Sequence, residues 1–204
     1  MSHKLTRGRM AVFIDRENIS HSFRRTFPGR QVDYLKLRQF LDKRGYVILA
    51  MFYTGESASR RSADSESEHR RRQWVSYLGH LQREGYQVVE KPASPIYDGA
   101  LITGYSANCD VEIATDFMAM VASGRVEEVV LVSGDGDFVY PVRLARSIPY
   151  CTRVTVMALR EDTSMELQRS CDEFIPLDVI ADEIAEPIRR NGLPQSPETG
   201  PKPV

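Results

Sequence analysis

Short runs of consecutive apolar residues, set between segments of helical period, constrain this chain more than any other feature. Residues 10–14, Met-Ala-Val-Phe-Ile, carry no polar alternation. A strand apolar on both faces must be covered on both faces, as parallel strands are in α/β layers. Further strand runs occupy 46–53, 86–89, 128–133, 153–157 and 173–175. Between them, Asp33 can N-cap a helix with Tyr34, Leu37, Phe40 and Leu41 on one face and a stop at Gly45. A second helix is predicted over 67–84, with Trp74, Tyr77, Leu78 and Leu81 along one side. Others follow over 110–123, ended by Gly124, then over 138–146 and, briefly, 164–169. Residues 91–109 read as a long connection. No two-residue hairpin signal is read, and the crossovers are long enough to bring each strand back parallel. The expected architecture is a three-layer α/β/α domain with five or six mostly parallel strands.

With 204 residues, 42% of them hydrophobic and 27% charged, one core suffices. Residues 10–190 are expected to form it, behind an N-terminal extension of 1–9 and ahead of a Pro/Gly-rich, disordered tail over 191–204. No apolar run approaches the roughly 20 residues that span a bilayer, so no membrane is expected as a partner. The basic N-terminus lacks the long apolar segment of a secretory signal, and a cytoplasmic location is expected. Cys109, Cys151 and Cys171 are widely spaced and read as small buried residues. The four His are scattered, which speaks against zinc. Net charge is only −1, yet Arg clusters locally at 24–25, 60–61 and 70–72.

Acidic residues stand where the predicted strands end. Asp15 follows the first strand immediately, and Asp135 and Asp137 follow the run at 128–133. In a parallel sheet these ends share one edge, and a crossover helix beginning at Asp110 starts on that same edge. Each residue has a plainer reading: Asp15 as the cap of a short helix, Asp135-Gly-Asp137 as a turn, Asp110 as an N-cap. Their common edge is what three independent caps would not require. Carboxylates gathered this way repel one another unless a cation neutralises them, and an all-oxygen donor set suits Mg²⁺ or Mn²⁺. Such ions serve phosphodiester hydrolysis. Asp116 lies about 240° round the helix and about 9 Å along it from Asp110, so it would meet a second ion or a neighbouring polar group. Glu17 and Glu112 read as solvated.

Phe13-Ile-Asp-Arg-Glu-Asn18, Cys109-Asp-Val-Glu-Ile-Ala-Thr-Asp116 and Leu131-Val-Ser-Gly-Asp-Gly-Asp-Phe138, in this order and spacing, resemble the three motifs of the NYN domain family, LabA-like branch, within the PIN-like nuclease superfamily. Arg71-Arg-Gln-Trp74 and Phe174-Ile-Pro-Leu177 also look like family segments, and the likeness runs from about residue 10 to 176. The resemblance implies a PIN-like fold and a metal-dependent endoribonuclease site whose catalytic and metal-binding acids map onto Asp15, Asp110, Asp135 and Asp137. It implies supporting roles for Asn18 and Ser133, and a metal-facing one for Asp116. Arg16 stands where the family commonly has Gly, and Ala107-Asn108 stand where it has Lys-Gly, removing a phosphate contact that Arg16 could replace. RNA, single-stranded, is the expected partner, gripped by Arg16, Arg24, Arg25, Arg70, Arg71 and Arg72. A second copy of the chain, forming a homodimer, is also admitted. The alternative is a catalytically weak or inactive RNA-binding or protein-interaction module on the same fold.

Overall fold

A computed structural model describes residues 8–55, 65–149 and 152–188. Arg60-Arg61, Cys151, most of the polar 55–68 stretch and the tail beyond 188 lie outside the described residues. Six strands form one sheet in which every pairing is parallel: β1 (Arg9–Asp15), β3 (Tyr46–Gly55), β4 (Gln87–Lys91), β7 (Glu128–Val132), β8 (Arg153–Ala158) and β9 (Glu173–Pro176). Their spatial order is β4-β3-β1-β7-β8-β9. The chain steps outward from β1 in one direction, crosses to β7, and steps outward in the other. The topological switch therefore lies between β1 and β7, where Ile14 pairs with Val132.

β1 displays the logic of the whole layer. Met10, Val12 and Ile14 enter one core together with Phe52, Val130 and Val132, while Ala11 and Phe13 enter the other with Tyr53, Val129 and Leu131. Successive side chains of a strand point to opposite faces, so a fully apolar run builds two cores at once. The first core is covered by α1 (Arg16–Thr26), α2 (Tyr34–Arg44), α3 (Ser65–Arg83) and α7 (Leu177–Ile184), through residues such as Ile19, Phe23, Leu37, Trp74 and Ile180. The second is covered by α4 (Asp110–Ser123), α5 (Val139–Ser147) and α6 (Met165–Ser170), through Ile113, Phe117, Val142 and Leu167. The three-layer reading thus holds. Cys109 and Cys171 are buried as expected.

The chain's punctuation acts where the sequence places it. Asp33 accepts hydrogen bonds from the amides of Leu35 and Lys36 and so caps α2. Gly124 ends α4 in the left-handed region, with φ of 62°. No helix among the described residues is long and apolar enough to cross a membrane.

Two readings need correction. The stretch 91–109 is not a plain connection: it holds an antiparallel hairpin of β5 (Ser94–Asp98) and β6 (Leu101–Ser106). Its two-residue turn rests on Gly99, at φ of 60°, after Asp98. The loop residues are Gly99 and Ala100, so this is a hairpin signal with Gly at the first loop position, obscured by Pro95 and by a first strand too polar at its ends to read as one. The other correction concerns α1, α7 and a small antiparallel pair, β2 (Arg30–Val32) with β10 (Ala185–Pro187), none of which the apolar pattern marks as full elements.

Candidate active site

Asp15, the last residue of β1, is also the N-cap of α1: its Oδ1 accepts from the Asn18 amide at 3.2 Å. The capping reading and the site reading are thus the same geometry. Asp15 is buried, with 7% of its surface exposed, and its Oδ2 accepts from the Ser133 hydroxyl at 2.9 Å. Burial raises its pKa to about 6, against the hydrogen bonds from Asn18 and Ser133, and the neighbouring Asp110 and Asp135 push in the same direction as burial.

Ser133 couples the two central strands. Besides donating to Asp15, its Oγ accepts from the Asp135 amide at 3.3 Å. Asp135 in turn caps a 3₁₀ turn over Gly136–Phe138, accepting from the Asp137 amide at 3.0 Å. Asn18 Oδ1 accepts from the Gly134 amide at 2.9 Å, binding the start of α1 to the loop after β7. Gly134 is closely surrounded: a Cβ there would fall 2.9 Å from Thr163 Oγ1 and 3.4 Å from Ala158 Cβ. Gly134→Ala is therefore expected to lower stability by about 1–3 kcal/mol, as crowding in a packed site does. Urea unfolding measures this, and an unchanged midpoint would show that the loop yields freely.

Asp110 opens α4 on the same edge. Asn108 holds it from both sides, accepting from its amide at 2.7 Å and donating to its Oδ2 at 2.5 Å. Partial burial raises the Asp110 pKa, against the Asn108 bond, with Asp135 and Asp137 adding to the rise. Asp15 is thus within electrostatic reach of Asp110 and Asp135, and Asp110 within reach of Asp135 and Asp137. No three acidic, His or Cys side chains among the described residues form a ready-made metal cage. Asp116 stands apart, accepting from the Tyr53 hydroxyl at 2.8 Å. Tyr53 is thus a polar neighbour of the kind the helix geometry allowed it.

Glu17 and Glu112 are not free solvated side chains. Glu17 accepts from Thr54 Oγ1 at 3.1 Å and pairs with Arg16 at 2.6 Å. Burial works to raise its pKa, but Arg16, Thr54 and the Gly55 amide outweigh it and leave the group below its usual value. Glu112 pairs with Lys91 at 2.8 Å. Lys91 is the residue that reading the sequence missed. It ends β4, and its Nζ also donates to the Asn108 carbonyl at 2.7 Å, placing an ammonium beside the turn that holds Asp110. Its signal was spatial only, since nothing in the sequence joins position 91 to position 108.

The basic residues divide. Arg16, expected to grip phosphate, lies with its guanidinium carbon 4.8 Å from the centre of the Trp74 ring, and its side chain is only 14% exposed. Its charge is engaged by an indole face and by Glu17. Arg24 and Arg25 are exposed. With Arg16, Glu17, Ser20 and His21 they line a cavity of about 420 Å³ along one face of α1, starting beside Asp15. Arg25 pairs with Asp162, whereas Arg24 makes no ion pair among the described residues. On α3, Arg70 pairs with Glu66 and Arg72 with Glu68, while Arg71 is exposed. Steps of about 100° prevent these three from forming one patch, and Arg70 is the one a turn from Trp74 and so on the face toward α1.

The NYN domain model matches residues 9–178. The chain belongs to the NYN domain family. This is a PIN-like nuclease family, and the fold is consistent with it. The chain is similar to the low amplitude and bright protein LabA of Synechococcus elongatus, at 27% identity over 200 residues, covering 95% of this chain and 97% of that protein. Its fold is similar to the crystal structure of VPA0982, a protein of unknown function from Vibrio parahaemolyticus. There the TM-score is 0.67 and the identity 24%, covering 91% of this chain and 100% of that one.

Proposed function

We propose that this NYN domain is a metal-dependent endoribonuclease that hydrolyses phosphodiester bonds of single-stranded RNA at the mouth between β1 and β7. The observation that carries this reading is the buried Asp15 carboxyl, tied through Ser133 to the Asp135 loop and made harder to ionise chiefly by burial, with Asp110 and Asp135 adding to it. A buried carboxyl with other acids beside it is what a divalent ion would relieve, and the all-oxygen donor set fits Mg²⁺ or Mn²⁺. Asp15, Asp110, Asp135 and Asp137 would hold it, while Asp116 belongs with Tyr53. A bound divalent ion supplies charge neutralisation at the phosphate and lowers the pKa of an attacking water. The protein's own part is to fix the acids: Ser133 and Asn18 orient Asp15 and the loop after β7, and Asn108, backed by Lys91, orients Asp110.

The cavity along α1 gives the RNA backbone a path away from the acids, with Arg24 and Arg25 beside it and Arg70 nearby on α3. Arg24→Ala is expected to weaken RNA binding several-fold and to reduce the slope of log K against log salt by about 1, as loss of one phosphate contact does. Fluorescence anisotropy across a salt series reads both quantities. A second reading, a binding module without turnover, is favoured by the lack of a ready-made metal cage among the described residues. Incubation of a single-stranded RNA with protein and Mn²⁺ or Mg²⁺ separates the two. The nuclease cleaves and is stopped by EDTA; salt-sensitive binding with no metal-stimulated cleavage establishes the module instead.

A further inference from the structure

The β5–β6 hairpin is a two-stranded sheet that pairs with neither of the other sheets. Such a hairpin is marginal in water unless a third strand or a packed face supports it. Here Ile96, Tyr97, Leu101 and Ile102 are 47%, 62%, 73% and 52% exposed, a concentration of large apolar side chains found in a single turn of chain. Asp98 is the only charged residue between 92 and 107. Apolar strands with unpaired edges are templates for another strand. The two edges differ, because Pro95 takes one amide from β5 while β6 has no proline.

We propose that the hairpin is an assembly arm, and that β6 pairs antiparallel with β6 of a second copy of this chain about a two-fold axis. A four-stranded β5-β6-β6-β5 sheet would then supply the support that the isolated hairpin lacks. A strand without charge that exposes Leu101 and Ile102 sets no repulsion against itself, as a two-fold interface demands. A nucleic acid fits this face less well, since phosphates are held by cations and the hairpin has none. The arm is rooted at the candidate site: Lys91 precedes it and its ammonium bonds the Asn108 carbonyl after it, and Asn108 holds Asp110. Pairing would thus steady the turn that carries an acid of the site. The inference stands on the hairpin's own surface and does not depend on RNA cleavage.

Sedimentation velocity of the full chain, over a dilution series reaching about 100 μM, tests it by mass action. The wild type is expected to sediment as a dimer at the upper concentrations and to dissociate on dilution. Ile102→Glu sets like charges across the two-fold axis and is expected to give a monomer throughout. Val179→Glu, at a side chain still more exposed but on α7, is expected to remain dimeric. Circular dichroism checks that each variant is folded. Should Ile102→Glu unfold, hydrogen exchange of the wild type replaces it, with protection of 101–106 expected to rise with protein concentration. A wild type that is monomeric at about 100 μM, or a dimer that survives a folded Ile102→Glu, overturns the proposal. Loss of RNA affinity in Ile102→Glu alongside a monomeric wild type would also overturn it and assign the face to RNA.

Discussion

Asp135→Asn is expected to cut Mn²⁺-dependent cleavage of single-stranded RNA by about 10³-fold, the loss of roughly 4 kcal/mol of transition-state stabilisation. The substitution separates two jobs that this side chain performs. Asp135 Oδ1 accepts from the Asp137 amide and caps the turn that follows. Asparagine keeps a carbonyl oxygen in that place and caps about as well, so the loop after β7 should hold its shape. The backbone amide of residue 135, which donates to Ser133, is unaffected. What is removed is one negative charge facing Asp15 and Asp110. Cleavage should therefore collapse while the thermal midpoint stays near that of the wild type. Full metal-dependent cleavage by a folded Asp135→Asn protein would remove Asp135 from the chemistry. Loss of cleavage together with unfolding would instead make it a capping residue. Lys91→Met is a useful companion: it leaves the acids in place but frees the Asn108 turn, so a smaller loss is expected, read through weaker Mn²⁺ affinity.

The sheet and the acid edge were legible in the sequence for one reason: both depend on period and position along the chain. A five-residue run with no polar alternation at 10–14 needs two covers, and the structure gives it two cores. Asp15, Asp110 and Asp135 stand at ends of predicted elements, and parallel order alone brings those ends together. The features that were missed depend on contacts between distant segments. α1 shows little apolar stripe, since only Ile19, Ser22 and Phe23 are buried, and its helicity draws on the Asp15 cap and on packing against the sheet. Arg16 reads as a surface cation in the sequence because nothing there shows that Trp74, 58 positions away, turns its ring toward it. Lys91 is invisible for the same reason. The hairpin does have a local signal, since Gly99 at the first loop position carries the turn chemistry that the surrounding Pro and Ser obscure.

Asp15→Asn is expected to make the metal-free protein more stable at pH 7.5, by up to about 3 kcal/mol, while removing most of its metal response. The sign follows from the direction of the shift. The carboxyl has a pKa of about 6 in the fold, raised chiefly by burial, against about 3.9 in an unfolded chain. Below the unfolded value it is neutral in both states and folding bears no penalty. As the pH rises toward 6 and beyond, the unfolded chain ionises freely and the folded one only at a cost, so stability falls across that window and levels off above it. A gap of about two pKa units is worth about 3 kcal/mol. Asp110 is raised too, and adds a smaller loss of the same sign. Asparagine removes the ionisation at 15, retains an acceptor for the Asn18 amide and leaves Ser133 a partner. Urea unfolding in EDTA should therefore show the variant ahead at pH 7.5, with the gap closing near pH 4. Adding Mn²⁺ should restore the wild type, because an ion bound to the folded state alone stabilises it by RT ln(1 + c/Kd), where c is the free Mn²⁺ concentration. The variant should gain much less. If the wild type is at least as stable as Asp15→Asn in EDTA at pH 7.5, the carboxylate is not held against its charge and the main ground for a cation at this edge is lost.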